Sequence, residues 1–71
     1  MLVTDTFGAR VRRLRLQHAL TQQDLANRAG VSRQVIIRAE ADTRPPRPSN
    51  VRKIAQALGV KPTALTIGRA A

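Results

Sequence analysis

Residues 22–41 read QQDLANRAGVSRQVIIRAEA, and the rest of the chain is organised around them. The stretch divides into two helical runs joined by a tight turn at Gly30. Thr21 precedes the first run as an N-cap, and Asp24, three residues on, completes a variant of the capping box. Leu25, Ala26 and Ala29 then recur at helical spacing. Gly30 stands where the chain must leave the helix, because glycine takes a positive φ without a Cβ clash. Val31 is apolar and packs back on the first run. Ser32 is the N-cap of the second run, and Ile36 and Ala39 face inward from it.

Two helices joined by so few residues must cross steeply, with their backbones close together near the turn. A large side chain at Ala26 would push them apart. A small residue, a glycine, an apolar residue, a cap and an apolar residue at these offsets follow the logic of a helix-turn-helix. Residues 32–39 would then be the helix offered to the DNA major groove. From about Phe7 to Leu65 the chain resembles the phage repressor/Cro family of helix-turn-helix regulators, the xenobiotic-response-element type. LTQQDLANRAGVSRQVIIRAE at 20–40 carries the resemblance, with a basic helix before it and SNVRKIAQALGV at 49–60 after it.

Composition narrows the function classes. At 71 residues the chain makes one small domain with a limited core, so each packing contact matters. With no cysteine there is no disulfide and no thiolate metal site, which suits the cytoplasm, the expected location. No apolar run is long enough to span a bilayer, and MLVTDTFG lacks the basic and apolar regions of a signal peptide. Charge is the loudest signal: 13 Lys and Arg against 4 Asp and Glu, formally +9. Such a field favours a polyanion, nucleic acid or anionic lipid. Eleven of the 13 bases are arginine, whose flat fork matches phosphate and guanine edges. Phe7 is the only aromatic residue, which weakens both a single-strand stacking surface and an interfacial membrane helix.

Residues 1–5 read as a tail, with Thr4 and Asp5 as candidate caps, and residues 6–66 as the DNA-binding domain around its 22–41 core. Helix 1 is expected over residues 6–18, with Phe7, Val11 and Leu14 as its buried face. Arg12 and Arg13 read as solvated, Arg10 as able to reach a phosphate, and Arg15 as lying near the inward edge. The family resemblance implies that Arg15 and Glu40 form a partly buried ion pair holding helix 1 against the recognition helix. The family often has glycine where Ala19 stands. An alanine there in the left-handed region would carry about 1 kcal/mol of strain, so another form of turn is expected. Leu20 staples that turn to the core. His18 is expected at the surface, since a lone histidine cannot build a metal site.

After Glu40 comes ADTRPPRPSN, where Pro45, Pro46 and Pro48 forbid helix continuation and stiffen the loop. Family members often have Asn-Gly after the glutamate. Ala41-Asp42 here predicts a less sharp end to the recognition helix. Arg44 and Arg47 on the loop are candidates for flanking phosphates. Ser49 is expected to cap helix 4, with Val51, Ile54, Ala55 and Leu58 as its buried stripe and Gly59 as its stop. Pro62 suits the first position of a short helix 5, with Leu65 inward. Residues 67–71 lack a pattern and read as a second tail. No strand pattern appears, so the expected fold is all-α: a compact five-helix, repressor-like domain with a helix-turn-helix.

Arg33, Gln34, Ile37 and Arg38 lie opposite the buried side of the recognition helix and are the candidate base contacts. Glutamine pairs with adenine, arginine with guanine, and isoleucine packs on a thymine methyl. Val35 could serve either core or groove. Gln22, Gln23, Ser32, Arg10, Arg44 and Arg47 are the candidate phosphate contacts. For Gln22 the role of backbone clamp is what the resemblance implies. The expected function is a sequence-specific double-stranded DNA-binding regulator, a repressor acting as a homodimer on a pseudo-palindromic operator. Such a dimer could pair through the helix 4–5 region or form only on DNA, and the chain could equally be an excised domain. The alternative is an antitoxin-like or adaptor module that binds another protein. Enzymatic activity is not expected. The acids Asp5, Asp24, Glu40 and Asp42 form no catalytic pair, and no nucleophile–base pair, phosphate-cradling loop, metal set or cofactor site is visible.

Overall fold

The computed structural model describes residues 6–43 and 46–66. They form five helices and, among the described residues, no strand: α1 (Phe7–Gln17), α2 (Gln22–Ala29), α3 (Arg33–Ala41), α4 (Pro48–Leu58) and α5 (Pro62–Thr66). The expected all-α, five-helix architecture is the one adopted. The two tails, the candidate caps Thr4 and Asp5, and Arg44 and Pro45 of the loop lie outside the described residues.

Each helix contributes its apolar stripe to a single core. Val11 comes from α1, Leu25 and Ala26 from α2, Ile36 and Ala39 from α3, Ile54, Ala55 and Leu58 from α4, and Leu65 from α5. Phe7, Leu14, Leu20, Ala29 and Val31 are half-buried around it. Ala26 is fully buried, as the close approach of α2 and α3 requires.

The helix starts follow from hydroxyl caps, with one exception. The Thr6 Oγ1 accepts from the Ala9 N–H at 3.1 Å and opens α1. At α2 the capping box is complete: Thr21 Oγ1 accepts from the Asp24 N–H at 3.0 Å, and Asp24 Oδ2 accepts from the Thr21 N–H at 2.9 Å. Ser32 Oγ accepts from the Val35 N–H at 3.2 Å and opens α3. The exception is α4. Ser49, expected as its cap, lies inside the helix, which starts at Pro48 with Arg47 at the N-cap and no side-chain cap bond. Proline suits the first helical position because its φ is preset and its missing N–H would have had no partner there. Pro48 therefore begins a helix rather than excluding one.

Three helices stop in the same way. Val31 N–H bonds the Ala26 carbonyl, Val60 N–H that of Ala55, and Leu20 N–H that of Arg15, each at 3.0 Å. This is the Schellman pattern, which needs a left-handed residue just before the donor. Gly30 (φ 73°) and Gly59 (φ 71°) supply it for α2 and α4. For α1 it is Ala19, at φ 57°, contrary to the expectation that alanine would avoid this conformation. Leu20 packs against the core and its carbonyl accepts from Arg15 Nη1 at 2.8 Å, which holds Ala19 in the strained form. Beside this turn, His18 Nε2 donates to the Leu58 carbonyl at 2.9 Å, closing an orphan acceptor at the end of α4.

Candidate nucleic-acid interface

The geometry of α3 follows from its two anchors. At its start, the left-handed Gly30 and the Ser32 cap turn the chain out of α2. Ile36 and Ala39 then key α3 into the core. At 100° per residue, Arg33, Ile37, Gln34 and Arg38 fall within an arc of about 140° on the far side. Arg33, Gln34 and Arg38 are exposed and Ile37 is half-buried at the edge. The four expected base contacts thus share one outward face. That face carries two guanidinium groups, and Ser32 stands exposed at its leading end. Val35 is half-buried on the core side.

No carboxylate faces outward between them, because Glu40 is turned in. Arg15 Nε donates to Glu40 Oε2 at 2.6 Å and Nη2 to Oε1 at 3.1 Å, a two-pronged pairing. The two side chains are 10% and 7% exposed. Gln22 joins the pair, its Nε2 donating to Glu40 Oε1 at 3.2 Å. One carboxylate therefore ties together α1, the start of α2 and the end of α3. Gln22, expected at the DNA backbone, has one amide N–H committed inward and keeps the other donor and its oxygen. Gln23 is exposed and bonds Asn27 along α2 at 2.9 Å.

The remaining phosphate candidates fall in different places. Arg47 is exposed at the N-cap of α4, beside the loop that follows α3. Arg44 lies outside the described residues. Arg10 does not join this group: its Nη1 reaches the Ala64 carbonyl of α5 at 3.2 Å. Position 10 lies about 140–160° around α1 from Gly8 and Arg15, which meet the end of α3.

Asp42 was missed by sequence reasoning as a contributor. It ends α3 in the left-handed region, at φ 56°, so the helix stops as sharply as a glycine would have stopped it. Its carboxylate accepts from the Gly8 N–H at 2.9 Å and from the Thr6 hydroxyl at 2.6 Å. The only signal in the sequence was an acid where the family often has glycine. At α2, the Thr21 backbone N–H and then its hydroxyl hold the Asp24 carboxyl below its ordinary value, and Arg28 adds a smaller pull the same way. Among the described residues no cluster of His, Asp or Glu could hold a metal, and no helix is long and apolar enough to cross a membrane.

Comparison with known proteins gives the same picture. A helix-turn-helix family profile matches residues 11–65. A comparison with curated protein sequences gives no match. Among solved structures, the restriction-modification controller protein C.AhdI from Aeromonas hydrophila is 36% identical, with a TM-score of 0.79 over 83% of this chain and 89% of that one. The P22 c2 repressor, solved in complex with a synthetic operator, is 28% identical, with a TM-score of 0.83 over 90% of this chain and 97% of that one. SinR, a master regulator for biofilm formation solved in complex with DNA, shares the fold at 23% identity, with a TM-score of 0.80 over 84% of this chain and 97% of that one. The matched profile spans the turn at Gly30, both helices around it and the helices that brace them, and the chain belongs to the Cro/C1-type helix-turn-helix family of DNA-binding transcriptional regulators.

Proposed function

We propose that the chain is a repressor that lays α3 in the major groove and reads bases with Arg33, Gln34, Ile37 and Arg38. The observation that carries this reading is the outward arc of α3, with two arginines and a glutamine exposed and its only acid folded inward on Arg15. Side chains at the leading end of such a helix reach deepest into the groove. Gln34 matches adenine and Arg33 matches guanine, while Ile37 finds an apolar contact in a thymine methyl. Ser32, Gln22, Gln23 and Arg47 lie at helix starts, where backbone N–H groups and a positive helix end favour phosphate. The formal charge of +9 raises affinity for any duplex and makes it salt-dependent.

Occupancy of a promoter by a two-fold dimer on a pseudo-palindromic operator, with half-sites about 34 Å apart, completes the proposal. The operator in the P22 c2 complex supports this reading. The site of action is the cytoplasm, where such an operator would lie. The test is selection of bound sites from a random duplex pool, followed by sizing of the complex. A palindromic consensus bound by two chains is the expected result. Equal affinity for every duplex at all salt concentrations would refute sequence reading.

A further inference from the structure

We infer that Asp42 is a positioning residue for DNA recognition: its carboxylate fastens the last turn of α3 to the first turn of α1 and so sets the inclination of the reading face. The inference rests on the major-groove reading above and adds a specific device to it. Asp42 holds a left-handed backbone, φ 56°, which strains any residue that carries a Cβ. Glycine would sit there without strain, but it could not make the contacts this side chain makes. What it does is visible in its two bonds, to the Gly8 N–H at 2.9 Å and the Thr6 hydroxyl at 2.6 Å, across 34 and 36 positions of sequence. The Gly8 N–H is one of the orphan donors of the first turn of α1, and a carboxylate there also meets the positive end of that helix.

The backbones confirm how tight the junction is. A Cβ built on Gly8 would lie 2.5 Å from both the Ala39 and Glu40 carbonyl oxygens and 2.7 Å from Asp42 Oδ2. At Gly8 the first turn of α1 thus rests directly on the last turn of α3, with no room for a Cβ. Glu40 braces the same end of α3 through Arg15. If the Asp42 clasp opened by ~1.5 Å while the Ser32 end stayed fixed, a nine-residue helix of ~13 Å would tilt by ~7°. Arg38, towards the clasped end, would move further than Arg33.

Asp42→Gly is the informative variant because it removes the clasp and the backbone strain together, so it should fold. Removing one negative charge has a definite electrostatic effect: every duplex should be bound more tightly. Positioning has the opposite sign for the selected site. Affinity for the duplex selected by the parent protein should fall about tenfold, the worth of one base contact. Affinity for an unrelated duplex of equal length should stay level or rise. Asp42→Asn keeps an acceptor for the Gly8 N–H and should recover part of the loss. Without DNA, amide NMR shifts in the Asp42→Gly protein should change along Arg33–Ala41, beyond the immediate neighbours. Unchanged or tighter binding of the selected site by Asp42→Gly would overturn the inference, as would shift changes confined to residues 6–9 and 41–43. A parent protein that selects no sequence would instead defeat the major-groove reading, and the DNA-free NMR result would still decide whether the clasp orients α3.

Discussion

Breaking the Arg15–Glu40 pair from one side should be among the most damaging single changes available in this domain. Arg15 makes three hydrogen bonds, two to Glu40 and one to the Leu20 carbonyl, and both charged side chains are about nine-tenths buried. Arg15→Met would leave the Glu40 carboxylate in a dry site with only the Gln22 amide, and the Leu20 carbonyl would lose its donor. Removing one partner of such a pair costs about 3–5 kcal/mol, mostly the penalty of the charge left behind. A chain of this length has a total stability of only about 4–10 kcal/mol, so the variant should be largely unfolded or close to it. Replacing both residues by apolar ones of similar volume removes the stranded charge as well, and such replacements are often neutral or stabilising. Arg15→Met/Glu40→Leu should therefore be markedly more stable than either single variant. The assay is urea unfolding followed by far-ultraviolet circular dichroism, since the chain has no tryptophan or tyrosine. The four proteins of the double-mutant cycle give the coupling directly. Additive losses, or a cost below about 1 kcal/mol for each single change, would refute the reasoning and reduce the pair to a surface ion pair.

Other outcomes follow from the same geometry. Ala19→Gly should relieve the left-handed strain of about 1 kcal/mol and, after the entropy cost of glycine, raise stability by up to ~0.6 kcal/mol in the same unfolding assay. Gly8→Ala should destabilise by about 1–3 kcal/mol, because its Cβ meets carbonyl oxygens that cannot rotate away. The Asp24 carboxyl titrates lower when folded than unfolded. Its cap therefore contributes fully above the ordinary aspartate value of about 3.9, and that contribution is lost as pH falls through the lower folded value. Asp24→Asn should flatten the acid limb of a stability-against-pH curve. In DNA-binding titrations over several salts, Gln34→Ala should relax preference at one base position, by about 1–3 kcal/mol of discrimination. Arg47→Ala should instead weaken all duplexes alike and shallow the log–log salt slope by about 0.9.

The local signals in this sequence were sufficient for the helices and for the face α3 turns outward. Thr21, Gly30, Ser32 and Gly59 act on backbone groups within a few residues, so their roles follow from neighbours in the chain. The apolar rows of α3 and α4 follow from helical period in the same way. Where reading by residue type failed, the deciding partner was distant in sequence or the local choice was close. Ala19 is strained because Leu20 is anchored to the core and to Arg15. At α4, Ser49 read as the cap and Pro48 as part of the loop, whereas the proline opens the helix. Asp42 read as a loop residue, because nothing within a few positions hints at Gly8 and Thr6. Arg10 read as a phosphate contact, but the fold brings the Ala64 carbonyl to it. Sequence alone thus determined which segments are helical and which side of each is apolar, since both depend on short-range spacing. Only the tertiary structure decided which charges remain available to a ligand and which are spent holding helices together. A long side chain's partner is set by how separate helices cross, and no local pattern encodes that crossing.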